Sequence, residues 1–219
     1  MTPPMDEATD SPAAPEAKRP WFEPVTVILM AVASLSTAWC SYQNSRWSGE
    51  SNDLETHADK LERQAVAWHL EARQIESVQT RFWMEAVDAR IDGDEKLARF
   101  YTDSFAEELK PAYEKWIALK PFDDPAAAPH PFVSGLYTPR FAQEIRDANA
   151  EAARAEAQSN TSGHTASSYL SNTVILATVL FFAGTASKFD QRRVRWWSLA
   201  FAIALFLYAA VRMLMLPVD

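Results

Sequence analysis

Four histidines, one cysteine and a few acidic pairs are the residues of this chain best suited to chemistry. Asp53 and His57 are one helical turn apart, as two metal ligands on a helix often are, but no third ligand stands near them in the sequence. Because zinc needs several protein ligands, a lone pair is a poor metal site. We interpret these two residues as part of a solvated helix face.

Two other acidic stretches have some features of cation sites. The stretch DARIDGDE, residues 88–95, lacks the alternating ligands and the closing Glu of a calcium loop, so it predicts a capped turn with Asp94 as N-cap. Asp123 and Asp124 precede His130 in a proline-rich segment and could bind a cation there. The sequence favours no metal site at either place.

Sequence motifs of enzymes are missing. The chain has no glycine-rich phosphate loop, no nucleophile elbow and no zinc motif, so we expect a protein that is not an enzyme and uses no cofactor. A net charge of −8 argues against general nucleic-acid binding, which needs a basic face. Cys40 is the single cysteine and cannot form an intramolecular disulfide.

The elements that carry these residues are helices, and three of them read as membrane spans. Few glycines and many Ala, Glu, Leu and Arg predict an all-α protein. Apolar runs at 23–42, 169–187 and 196–216 are each long enough to cross a hydrocarbon core of about 30 Å. The preceding residues, 1–22, are acidic and Pro-rich, which favours a disordered tail before an uncleaved anchor over a secretory signal.

A basic turn between the last two runs sets the expected topology. Residues 188–195 contain four cations, Lys188, Arg192, Arg193 and Arg195. Short loops rich in Lys and Arg stay in the cytoplasm, so this loop and the N-terminal tail are expected inside. Residues 43–168 are then extracytoplasmic.

Polar residues inside the spans suggest contacts between helices. Arg212 is near the outer end of the third span, where a long side chain can reach the headgroups. Asn172 and Thr178 in the second span can hydrogen-bond to neighbouring helices. We interpret Asn172 and Thr178 as residues that hold the spans together and not as pore-lining residues, and Arg212 as a residue that contacts the lipid headgroups.

Residues 43–168 are predicted to form an elongated helical stalk with coiled-coil character. Its first helix, about 48–91, carries a heptad seam of alternating large and small residues. The large positions are Leu54, Leu61, Trp68, Ile75 and Phe82, and the small positions are alanines except for Gln79. Further helices are expected at about 94–120, kinked at Pro111, and at 139–160, restarting at Thr138 and Pro139. The Pro-rich strap between them, 121–138, is expected to be extended.

The chain resembles bacterial membrane proteins that have one N-terminal span, a helical middle and a C-terminal two-span hairpin. The stretches WCSYQNSRWSGE, LARFYTDSFAEELKPAYEKW and LFFAGTASKF carry this resemblance, which covers most of the chain from about residue 24. It implies a bacterial inner-membrane location. It implies no catalytic residue, because no activity is assigned to that group.

Three hypotheses about function follow. The leading one is a non-enzymatic inner-membrane scaffold or partner subunit that forms a homo-oligomer through its stalk and spans, in contact with lipid and with other envelope proteins. The second is a small channel or transporter subunit, with water lined by Ser34, Ser36 and Thr37 or by Ser171, Asn172 and Thr178. The third is an envelope sensor whose strap binds a ligand.

Overall fold

The computed structural model of the chain describes residues 22–186, 188 and 191–218, without the Arg192 side chain. The predicted tail, residues 1–22, therefore lies outside the described residues except at Phe22. Within the described residues the protein is all-helical, with 81% of them in helix and no strands. The helices are α1 (Phe22–Ile91), α2 (Glu95–Asp103), α3 (Leu109–Ala118), α4 (Ala142–Ala186) and α5 (Arg192–Met215). The predicted all-α class is confirmed.

Three of these helices are long and apolar enough to cross a membrane. Their most apolar windows have mean hydropathies of 1.6 in α1, near its N-terminus, 1.5 in α4 and 2.0 in α5. No charged residue lies within 24–42 or 169–187, and a helix apolar on all sides needs an apolar surrounding. These properties indicate a membrane protein.

The residues group into two compact units, each with its own core. The span unit comprises the described residues of 22–47 and 164–218, and the middle unit comprises Ser48–Gly163. The two longest helices, α1 and α4, contribute residues to both. The core of the span unit is built from small and medium apolar side chains, among them Leu29, Ala33, Cys40, Leu176, Val179, Leu199 and Ala202.

Two of the predicted stalk helices are continuous with spans, a possibility that the sequence leaves open. The helix expected at about 48–91 is continuous with the first apolar run in α1, and the helix expected at 139–160 is continuous with the second run in α4. Gly163 lies within α4, where an added Cβ would stand 3.2 Å from the Ser51 hydroxyl. Glycine here permits close approach to α1 instead of ending the helix.

The turn after α1 is the capped turn that the sequence predicted. Gly93 adopts φ 81°, a left-handed conformation that glycine reaches without strain. The Asp94 carboxylate accepts a hydrogen bond from the backbone N–H of Leu97 at 3.0 Å, which makes it the N-cap of α2.

The single kinked helix expected at about 94–120 is divided into α2 and α3. The break covers 104–108, before Pro111, and Pro111 lies in the first turn of α3, where its missing N–H costs nothing. Gln79, the polar exception in the α1 seam, explains the break. Its side-chain oxygen accepts a hydrogen bond from the backbone N–H of Ala106 at 2.7 Å, so the broken segment docks on the seam.

The Pro-rich strap is folded into turns and is not extended as expected. Backbone hydrogen bonds close turns at Asp123 N to Lys120 O, 2.9 Å, and at Tyr137 N to Val133 O, 3.2 Å. The Trp116 indole N–H donates to the Ala128 carbonyl at 2.6 Å and fixes the middle of the strap to α3. Because α2 and α3 are short, the strap has no long distance to cover.

The fourth helix begins three residues later than Thr138 and Pro139 predicted. Arg140 and Phe141 form a turn in which Phe141 adopts φ 62°, an uncommon conformation for a bulky residue. Its ring stacks on Trp68 of α1, with centroids 6.1 Å apart and planes 21° apart. This long-range contact moves the start of α4 to Ala142.

Candidate functional site

The heptad seam of α1 faces other parts of the same chain. All its residues from Leu54 to Ala89 are buried or half-buried, and the small positions Ala58, Ala65 and Ala72 are nearly inaccessible. Ala152 and Ala155 of α4 pack against Ala58, with Leu61 beside them. The regular pattern therefore marks an intramolecular surface, and its burial needs no second copy of the protein.

Polar contacts continue this pairing of α1 with α4. Ser51 and Ser159 exchange hydrogen bonds in which each hydroxyl donates to the other residue's backbone carbonyl, at 2.9 and 2.8 Å. His57 Nε2 lies 3.1 Å from the Glu151 carboxylate, on the exposed edge of the pair. His57 thus contacts α4, and no hydrogen bond or ion pair joins it to Asp53 in the described part of the chain.

An aromatic core lies at the C-terminal end of α1. Trp83 packs edge-on against Trp116, His130 and Phe132, at centroid distances of 5.6, 6.4 and 6.1 Å. The structure therefore places His130 in this core, while the Asp124 carboxylate caps its own turn by accepting from Ala126 N–H at 2.9 Å. The cation site considered for this segment is not assembled by these contacts.

Two tyrosines of this core have pKa values raised above the ordinary value. Burial raises the pKa of Tyr113 above its ordinary value, and the Tyr113 hydroxyl has no hydrogen-bond partner among the described residues. Burial also raises the pKa of Tyr137, and the negative charges of Glu76 and Glu108 add to the effect.

The described residues contain no group of three or more His, Cys, Asp or Glu that could hold a metal ion. They do contain a cleft between α3, the end of the strap and the first turns of α4, which we call the α3–α4 cleft. Its volume is about 530 Å³. Its charged lining residues are Glu108, Lys115, Arg140, Glu144 and Arg146.

Only some of the charged side chains in the α3–α4 cleft form ion pairs. Arg140 Nε lies 3.2 Å from Glu108 Oε1, and the guanidinium carbon stands 5.6 Å from the centre of the Phe141 ring. Arg146 donates to the Gln143 side-chain oxygen at 2.6 Å. No local sequence pattern indicates this cleft, because the whole strap separates Lys115 from Arg140.

The polar residues of the span unit lie in its core and at its surface. Asn172 is fully buried, and its amide nitrogen donates to the Ala209 carbonyl of α5 at 3.1 Å and contacts the Cys40 sulfur of α1 at 3.6 Å. Arg212 reaches the Ser171 hydroxyl at 3.5 Å. Asn172, which belongs to α4, thus contacts both α1 and α5.

The four basic residues of the predicted turn do not share one environment. Lys188 and Arg193 are exposed, whereas Arg195 is buried with its guanidinium carbon 3.8 Å from the centre of the Phe22 ring. This cation–π contact fastens the start of α5 to the start of α1. The side chain of Arg192 and residues 189–190 lie outside the described residues.

Comparison with protein-family models, with curated proteins and with solved structures finds no match to this chain. Its function has to be argued from its own geometry.

Proposed function

We propose that this protein is a non-enzymatic scaffold or partner subunit of the bacterial inner membrane, which assembles as a homo-oligomer and contacts other envelope proteins. The three long apolar helices support membrane integration. The cations Lys188, Arg192, Arg193 and Arg195 support a cytoplasmic turn, which would make residues 43–168 extracytoplasmic.

The observation that carries the assembly is a second apolar stripe on α1, which we call the outer stripe. It consists of Val66, Leu70, Met84 and Ile91, each more than half exposed. At about 100° per residue these side chains lie on the side of α1 opposite to the seam. The seam is covered by the same chain, so the outer stripe is an apolar surface of α1 that is left for a partner.

A second copy of this chain is the partner that fits the outer stripe. Leu70, Met84 and Ile91 are separated by whole heptads, with Ser77 at the remaining heptad position. Two copies anchored in one membrane run parallel, and in a parallel pair a heptad repeat places each residue beside its own copy.

Cysteine cross-linking tests this assembly in the membrane. In a Cys40→Ala background, we expect Leu70→Cys and Met84→Cys to form disulfide-linked dimers on mild oxidation. Glu71→Cys is the matched control, because Glu71 is exposed on α1 but lies away from the outer stripe. Dimers at neither stripe position, or equal dimer yield at position 71, would show that this surface does not pair.

Thiol accessibility tests the orientation independently. We expect an impermeant maleimide to label Asn52→Cys in intact spheroplasts and to label Gln191→Cys only after lysis. Both residues are exposed, so access depends on which side of the membrane they occupy. Labelling of position 191 but not of position 52 in intact spheroplasts would invert the map.

A channel subunit is the weaker candidate. The hydroxyls of Thr37 and Thr178 donate to carbonyls in their own helices, at 2.8 and 3.0 Å, and the Asn172 amide nitrogen donates to the Ala209 carbonyl. The Asn172 amide oxygen has no hydrogen-bond partner among the described residues. The three donors are therefore used in the way typical of packed spans. Ion flux through liposomes that contain only this protein would favour the channel over the scaffold.

A further inference from the structure

We propose that the α3–α4 cleft is a binding site for a small organic anion that carries a carboxylate on an apolar body. This function goes beyond the proposed scaffold and would give the protein a ligand-sensing role. The inference rests on the charge of the cleft, its apolar walls and the way its cations are held.

The charge of the cleft is opposite to that of the unit that contains it. Residues 48–163 include thirteen Lys and Arg against twenty-two Asp and Glu, a net charge of −9. The cleft is lined by three of those cations, Lys115, Arg140 and Arg146, against two anions, Glu108 and Glu144. A local cationic excess on an acidic surface concentrates anions at that place.

The cations of the cleft retain unused hydrogen-bond donors. Lys115 has no ion pair among the described residues, and Arg140 uses its Nε for Glu108 while remaining half exposed. The terminal nitrogens of Arg140 have the fork geometry that suits a carboxylate. The first turn of α4 also lines the cleft, and the positive end of a helix dipole favours an anion.

Part of the remaining wall is apolar and can contact the body of such a ligand. This apolar part includes Pro111, Leu136, Pro139 and Phe141, while Thr138 and Gln143 add polar groups. A volume of about 530 Å³ lies within the range of small-molecule sites. An inorganic anion would leave these walls unused.

The backbone at the cleft is held in an unfavourable conformation by contacts on both sides. Phe141 keeps its φ of 62° because its ring stacks on Trp68, while the neighbouring Arg140 is tied to Glu108. Such a conformation persists only where surrounding contacts impose it. Its effect here is to place Arg140 and the start of α4 at the same cleft.

Titration with 4-fluorophenylacetate, followed by ¹⁹F NMR on the full chain in an uncharged detergent, tests the site. We expect saturable binding that weakens about tenfold in Lys115→Gln and in Arg140→Gln, because each variant removes one charged hydrogen-bond donor. Lys110→Gln is the matched control and should bind as the unaltered protein does, because Lys110 is an exposed lysine of α3 outside the cleft. We expect 2-(4-fluorophenyl)ethanol, the neutral analogue, to bind at least tenfold more weakly than the carboxylate.

Equal affinity for the acid and the alcohol, or no loss of affinity in Lys115→Gln, would overturn the proposal. Lys115 is exposed and forms no ion pair with any other residue that the structure describes, so this variant keeps the fold and its result stands by itself. Displacement of the probe by inorganic phosphate as readily as by phenylacetate would also overturn it, since the apolar walls would then contribute nothing. The cross-linking of the outer stripe does not depend on any of these results.

Discussion

Enlarging one alanine of the α1–α4 contact should loosen the middle unit, and an adjacent alanine provides the control. Ala152 is 2% exposed and packs against Ala58, so a leucine at this position has no space without moving the helices apart. Ala153 is exposed on the same turn of α4. Alanine and leucine are both good helix formers, so helix propensity differs little in either variant.

The expected cost can be worked out from packing. Overfilling a packed contact costs about 1–3 kcal/mol, and about 1 kcal/mol lowers the Tm of a chain of this size by about 2–4 °C. Ala152→Leu should therefore lower the Tm by about 2–12 °C, while Ala153→Leu should change stability by less than about 0.5 kcal/mol. Thermal unfolding of the full chain in mild detergent, followed by circular dichroism at the helical band, measures both.

A second substitution shows whether the lost stability comes from this contact. Leu61 borders the same cluster, so Leu61→Ala should create space that the new leucine can fill. The double variant Leu61→Ala/Ala152→Leu should lose less stability than the sum of the two single variants, with a coupling of about 0.5 kcal/mol or more. Equal Tm values for Ala152→Leu and Ala153→Leu would refute the packing of α4 on the seam.

Three further predictions concern the middle unit. Tyr113→Phe should raise the free energy of unfolding by about 1 kcal/mol, because it removes a buried hydroxyl without a partner. The same substitution should make the protein less sensitive to alkaline unfolding. Because the pKa of Tyr113 is raised in the folded state, the stability linked to its neutral form is present below about pH 10 and is lost as the pH rises through the folded-state pKa. Gln79→Ala should cost about 1–3 kcal/mol in denaturant unfolding, because the Ala106 N–H loses its acceptor, and Gln79→Glu should retain most of that stability. Ser51→Cys/Ser159→Cys, in a background without the native cysteine, should form an intrachain disulfide on oxidation, because the two hydroxyl oxygens are 3.1 Å apart; a dimer on a non-reducing gel would instead show that α1 and α4 pair between chains.

The sequence was informative wherever a single helix dictated the outcome. The three apolar runs predicted the long apolar helices, and the spacing from Leu54 to Ala89 marked the buried side of α1, because both depend only on periodicity along one helix. The glycine and aspartate after Ile91 predicted the capped turn, since the cap is a contact within a few residues. The partner of the seam was not readable in the same way, because periodicity does not distinguish a helix of the same chain from a helix of another copy.

The sequence failed where residues distant in the chain determine the local conformation. Phe141 adopts its unusual φ because of Trp68, and the break between α2 and α3 depends on Gln79. Neither contact can be predicted from neighbouring residues. The sequence therefore predicts a kink at Pro111 and a helix start at Thr138, whereas in the structure the break precedes Pro111 and α4 begins at Ala142. The α3–α4 cleft was missed for the same reason, since it exists only after the strap has folded.

The alanines between α1 and α4 also constrain how this protein can vary. Among the residues that one nucleotide change can substitute for alanine, only glycine and serine are of comparable size, and the others are larger, charged or imino acids. At Ala58, Ala152 and Ala155 nearly every such replacement would push the two helices apart. Exposed alanines one residue away, such as Ala153, have no such restriction. Substitutions should therefore be tolerated on the exposed side of α4 and removed by selection on the side that faces α1.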